Sequence, residues 1–264
     1  MSRLLRLGAV SYLNARPLVH GLEHDGTVSI RFDLPSVCAD ELASGDIDLG
    51  LVPSITYLNR AGDHIVPGVM IGSVGPVASV ALFARRPLRE VRTIALDTSS
   101  RTSAALTRIL CARKFEIAPT FVPHAPDLGA MLASADAALL IGDPALFVDA
   151  TAFGAGKIDL GAAWTDLTGL PFVWAFWVGA SDAADAGTVA LLQQACASGL
   201  RSRDAIADAY CAAEPARQAL ARTYLRDNIT YALDAPAIEG LRTYYQEACA
   251  LGLVDRDGPV AFFS

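Results

Sequence analysis

What most constrains the fold of this chain is a change of apolar period that repeats along its first half. Short runs with the spacing of strands, LLRLGAV, VSIRFDL, DLGLVP and VPGVMIG, are separated by stretches with the spacing of helices. The stretch opening at Pro35-Ser36-Val37 reads as a short helix with Val37, Leu42 and Ala43 inward and Gly45 closing it. Strands that alternate with helices pair in parallel, because a helical crossover returns the chain to the same end of the sheet. A mostly parallel sheet with helices on its faces is therefore expected.

The pattern then repeats. VASVALFARRPL alternates until Pro87 ends it, and TIALD opens a second strand–helix unit. SSRTSAALTRILCARKF is a capped helix with Leu106, Ile109 and Leu110 on one face. PTFVPH, DLGAMLAS, AALLIGD and KIDLGAAW continue the alternation, and PFVWAFWVG is a long apolar strand. Beyond it the sequence reads as helices only: TVALLQQACASGL, DAIADAYCAA, and EPARQALARTYLRDN with Pro215 near a start. The last helix is capped by Asp234 and carries a stripe of Ile238, Leu241, Tyr245 and Ala248.

Two such blocks joined by two long strands imply an α/β protein of two lobes with a double crossover and C-terminal helices. The boundaries fall near residues 84–88 and 173–178, so lobe 1 comprises residues 1–86 and 176–264 and lobe 2 residues 87–175. The ligand site is expected in the cleft between lobes, near the carboxyl ends of parallel strands. Trp164, Trp174 and Trp177 read as core, with Trp174 or Phe176 also facing the cleft.

Composition removes several classes of function. A net charge of -7 argues against a nucleic-acid partner. The five cysteines are scattered and odd in number, with no CxxC pair, which points to free thiols in a reducing cytosol. The four histidines have no ligand spacing, so no metal is expected. GxSxG, Walker A and GxGxxG motifs are lacking. No apolar run reaches the roughly 20 residues that span a bilayer, and the opening residues lack the pattern of a secretion signal. A cytoplasmic protein without a membrane partner is the expectation. Oligomeric state is not legible.

Four places concentrate polar groups at the ends of apolar runs. VSYLNARPL offers Ser11, Tyr12 and Asn14, with Ser11 as a cap for a helix starting near Leu13. VPSITY offers Ser54, either a cap or a cleft residue. SSRTS sets Ser99, Ser100, Thr102 and Ser103 at a helix N-terminus, where hydroxyls, free N–H groups and the helix dipole favour an anion. Capping needs only one hydroxyl, and Arg101 there adds a charged donor for a carboxylate. In IGDPAL, Gly142 permits close approach and Asp143 reads first as the cap of the helix begun by Pro144. Together they suit a small, oxygen-rich, anionic molecule. Whether it is bound or transformed stays open at this point.

VSYLNARPL, CADELASGDIDLGLVPSITY, IALDTSSRTSAALTRIL, LLIGDPAL and DLGAAWTDLTGLPFVWAFW occur in this order, and together they resemble the chorismate dehydratase family. These enzymes stand at the start of the futalosine route to menaquinone, and the resemblance covers nearly the whole chain. It implies a type 2 periplasmic-binding-protein-like fold and cofactor-free loss of water from chorismate, giving 3-[(1-carboxyvinyl)oxy]benzoate. It also implies that SSRTS holds one carboxylate. Ser11, Ser54 and nearby N–H groups would hold the other carboxylate or the leaving hydroxyl. Asn14 would orient substrate or handle the proton, with a substrate carboxylate or Asp143 as the proton acceptor. Dihydroxynaphthoate synthase shares the fold but carries a histidine where Gly142 stands. A non-catalytic binder of the same fold is the alternative from another class, although no secretion signal or helix-turn-helix domain is visible.

Overall fold

A computed structural model describes residues 4–264. The first block runs β1 (Leu5–Val10), a 3-10 turn (Leu13–Val19), β2 (Val28–Asp33), α1 (Pro35–Ser44), β3 (Leu49–Pro53), a second 3-10 turn (Ser54–Asn59), β4 (Asp63–Ile65) and β5 (Gly68–Ser73). The second runs β6 (Val80–Ala84), β7 (Thr93–Asp97), α2 (Arg101–Arg113), β8 (Thr120–His124), α3 (Leu128–Ser134), β9 (Ala137–Ile141), α4 (Gly142–Phe147), β10 (Gly156–Asp159) and α5 (Leu160–Thr168). The chain closes with β11 (Phe172–Ala180), α6 (Ala186–Arg201), α7 (Arg203–Tyr210), α8 (Gln218–Thr223), β12 (Thr230–Leu233) and α9 (Ala235–Ala250).

Local chemistry sets many of these limits. Pro35 occupies the first turn of α1, where its missing N–H costs nothing, and Gly45 ends it in the left-handed region at φ 78°. Because the helix begins at Pro35, its inward face is Pro35, Cys38, Ala39 and Leu42, one residue every third or fourth position. Val37 and Ala43, expected inward, are exposed.

Two sheets result, ordered β12-β5-β11-β3-β1-β2, with β4 beside β11, and β10-β6-β9-β7-β8. They are mixed rather than mostly parallel. β2 and β3 flank β1 in parallel and β8 and β9 flank β7 in parallel. By contrast β11 runs antiparallel to β3, β4 and β5, and β6 antiparallel to β9 and β10. The two connecting strands enter their sheets from the far end, which reverses their direction. The chain leaves the first sheet after Ser73, enters the second at Val80, and returns at Phe172. The sheets thus change over earlier than residues 86 and 176: β6 pairs wholly within the second sheet and β11 wholly within the first.

The C-terminal third is not helices alone. β12 pairs antiparallel with β5, burying Tyr231 and Leu233. Four residues of alternation between helices are too few to announce a strand. An aromatic cluster knits α5, β11 and α9, with Phe172 4.3 Å from Trp174, 5.3 Å from Trp164 and 4.9 Å from Tyr244 between ring centroids. The cysteines are free, and four of the five are buried.

Candidate functional site

A cavity of about 490 Å³, its open mouth included, is lined by residues of both sheets. Four parallel strands end on it. Val10 closes β1 and leads to Tyr12 and Asn14, Pro53 closes β3, β7 leads to Ser100, Thr102 and Ser103, and Ile141 closes β9 before Gly142. Ser79 and Trp174 complete its polar lining, and Trp174 Nε1 donates to Ser73 Oγ at 3.1 Å. Phe176, the other aromatic residue considered for the cleft, is fully buried in the core.

The hydroxyl cluster behaves as its helix position dictates. Ser100 caps α2 by accepting the Ser103 N–H at 3.2 Å. Thr102 Oγ1 accepts the Ile55 N–H at 3.2 Å, which ties α2 to the turn after β3. Beneath them Asp97, 1% exposed, accepts from Ser99 N–H and Oγ at 2.8 and 2.6 Å and from Ile141 N–H at 3.3 Å. Burial pushes the Asp97 carboxyl above its ordinary pKa, and the bonds from Ser99 and Ile141 pull the other way. This buried acid fixes two strand ends side by side.

Several expected site groups lie elsewhere. Arg101 is exposed and paired with Asp40 at 2.6 Å, so it points away from the cavity. Ser54 is fully buried outside the lining, its hydroxyl donating to Val173 O at 2.8 Å, and it caps nothing. Ser11 makes no cap either, because the turn beginning at Leu13 has Tyr12 at its cap position without a side-chain bond. The Leu13 N–H goes instead to Asp143 Oδ1 at 3.1 Å. Asp143 therefore caps a turn on the other sheet rather than its own helix, and it does not line the cavity. Among the described residues no lysine or arginine lines the cavity, so an anion there meets hydroxyls, amides, the Trp174 indole and backbone N–H groups.

A family model described as menaquinone biosynthesis matches residues 5–250. The chain belongs to the menaquinone-biosynthesis family. It is 30% identical over 264 residues to the chorismate dehydratase of Thermus thermophilus, covering 94% of this chain and 95% of that one. Its fold is periplasmic-binding-protein-like. The alkanesulfonate-binding protein of Xanthomonas axonopodis pv. citri bound to MOPS superposes with a TM-score of 0.71 at 18% identity, over 97% and 96% of the two chains. A protein from Archaeoglobus fulgidus gives 0.77 at 15% identity, over 95% and 98%.

In this member of the menaquinone-biosynthesis family, Gly142 is required by geometry. Its φ is +64°, and a Cβ there would lie 2.5–2.6 Å from three atoms of the Tyr12 ring. No side chain, histidine included, fits without moving Tyr12. Burial pushes the Tyr12 phenol up to about 12 against the opposing bond from Ser99, so it stays protonated at neutral pH. Gly142→Ala is expected to cost about 3 kcal/mol, from left-handed strain and overpacking together. Calorimetry should then record a melting temperature lower by roughly 6–12 °C; an unchanged value would contradict the packing described.

Sequence reasoning missed the phenols. Tyr210, Tyr231, Tyr244 and Tyr245 reach the backbone carbonyls of Ser11, Asn14, Thr102 and Ser54 at 3.1, 2.9, 3.0 and 2.6 Å. The Tyr224 hydroxyl, in a π-helical stretch (Tyr224–Asn228), bonds Ser79 Oγ at 2.7 Å and also interacts with the Asn14 side chain. One signal was available: five of the seven tyrosines lie between residues 210 and 245.

Proposed function

We propose that this chain is a chorismate dehydratase, acting in the cytoplasm at the start of the futalosine route to menaquinone. It would bind chorismate in the cavity between the sheets and release 3-[(1-carboxyvinyl)oxy]benzoate and water without a cofactor. Each sheet with its covering helices would form one lobe. The observation that carries this reading is Asn14 Oδ1, which is buried against the cavity yet accepts no hydrogen bond from any of the described residues. A buried acceptor left unpaired is costly, and one at a cavity wall suits a ligand that donates to it.

The chemistry fits a site of neutral donors. The ring proton on the carbon bearing the enolpyruvyl ether is a vinylogous α-proton of the ring carboxylate. Its removal spreads negative charge into a dienolate, and expulsion of the neighbouring hydroxyl with one proton gives water and an aromatic ring. The task is orientation and charge stabilisation. Ser100, Thr102 and Ser103 would hold one carboxylate at the head of α2, and Ser79 and Asn14 would face the reacting carbons. Tyr12 stays protonated at neutral pH and offers no phenolate to act as base, and both oxygens of Asp143 are engaged elsewhere. A carboxylate of the substrate itself is therefore our choice of proton acceptor. No helix is long and apolar enough to cross a membrane among the described residues.

Incubating the pure protein with chorismate and following the ultraviolet change on aromatisation tests the reading. Growth of an aromatic benzoate band is expected. Tight binding of chorismate without any turnover would instead identify a binding protein of this fold.

A further inference from the structure

We propose that Asp143 and Tyr210 are positioning residues, a latch that bonds the turn carrying Asn14 to the second sheet and so sets the Asn14 side chain. The proposal rests on the dehydratase reading, because it concerns what places Asn14 for that reaction. Leu13 opens the turn, and the first N–H groups of a helical turn have no partner within it. With no cap from Tyr12, the Leu13 N–H finds Asp143 Oδ1, which is 130 residues away in sequence and in the first turn of α4, just after a strand of the other sheet. The Tyr210 hydroxyl donates to Asp143 Oδ2 and lies 3.1 Å from Ser11 O.

Arg16 completes the arrangement. Its Nη2 donates to Ser11 O at 3.3 Å, and its guanidinium lies 4.2 Å from the Phe32 ring centroid and 5.4 Å from that of Tyr210. Three segments thus converge on one carboxylate: the turn after β1, the end of α7 and the start of α4. Asn14 is the next residue after Leu13, so a tilt at the Leu13 amide swings its side chain within the cavity. Asp143 itself is not at the cavity wall, and a general base would need a lone pair facing the substrate.

Conservative and non-conservative replacements separate positioning from base chemistry. In Asp143→Asn the amide oxygen still accepts from Leu13 N–H. Its NH2 donates to Tyr210, whose own proton turns to Ser11 O. Asp143→Ala keeps neither contact. With chorismate as substrate, kcat of the Asn variant is expected to stay within about tenfold of wild type, the scale of one altered hydrogen bond. The Ala variant is expected to lose about 100-fold in kcat, with KM within about threefold, as for a misplaced reacting group. Tyr210→Phe should fall about tenfold. The Asp143→Ala/Tyr210→Phe pair should be no worse than Asp143→Ala alone, because both act through one contact.

Amide hydrogen exchange at Leu13 reads the latch without turnover. It should quicken about tenfold or more in Asp143→Ala and hold in Asp143→Asn. An Asn variant as inactive as the Ala variant, with Leu13 still protected, would overturn the proposal in favour of base chemistry. So would an Ala variant with wild-type kcat and exchange. If wild-type protein leaves chorismate unchanged, the functional reading fails, and the Leu13 exchange still decides the latch. Tyr210→Phe, which removes one oxygen, serves should the Ala variant not fold.

Discussion

An Asn14→Ala protein should fold and melt like the wild type yet turn over chorismate about 1000-fold more slowly, the loss expected when one preorganised polar group at the reacting centre is removed. The fold survives because the backbone carbonyl of Asn14, which accepts from Tyr231 at 2.9 Å, is retained by alanine, and of its contacts with the scaffold only the side-chain interaction with Tyr224 is lost. What is lost is the amide at the cavity wall, whose Oδ1 meets no donor among the described residues. The loss should fall on kcat, with chorismate affinity by calorimetry within about threefold, because the hydroxyls proposed to hold the carboxylate, Ser100, Thr102 and Ser103, are untouched. Asn14→Asp should bind more weakly than Asn14→Ala, since it adds a negative charge to a cavity that no cation lines among the described residues. Undiminished kcat in the alanine variant would remove Asn14 from the chemistry.

Gly199→Ala is expected to be the most damaging single methyl group in the chain. Gly199 of α6 lies against the turn that bears Asn14 so closely that a Cβ would stand 2.1 Å from Pro17 O and 2.5 Å from Pro17 Cα. These are backbone atoms and cannot rotate aside, so the helix and the turn must separate. Urea unfolding should show a loss of about 4 kcal/mol, the range reserved for severe overpacking. Whatever folds should also show reduced kcat, because the displaced element is the one that presents Asn14. Normal stability would mean that α6 and the turn have slack between them. The contact also explains why this helix carries a glycine at a position where alanine has the better helix propensity.

Features decided within a few residues were legible in the sequence. Ser100 capping α2, Asp234 capping α9 and Gly45 closing α1 all follow from local backbone need. So does the order of most strands and helices, β12 excepted, and so do the four polar segments, each of which sends at least one residue to the cavity wall. The errors were tertiary. Asp143 looks like a cap of the helix it opens, and nothing nearby says that its partner is Leu13. Arg101 shares its segment with the cavity hydroxyls, but the helical turn carries it outward to Asp40. Ser54 gives its proton to a carbonyl on β11, a strand that begins more than a hundred residues later. Direction of pairing was also hidden, since an apolar run such as PFVWAFWVG reads the same whichever way its neighbours run.

The five phenols have a consequence for how the protein is made. Ser11, Asn14, Ser54, Ser79 and Thr102 are synthesised early, and each is bonded by a tyrosine between residues 210 and 245. A nascent chain can pair much of both sheets before those residues emerge, since domains form as their segments are released from the ribosome. It cannot yet fix the loops around the cavity. The cavity is therefore completed only after residues 210–245 have been made and have packed back onto loops made far earlier.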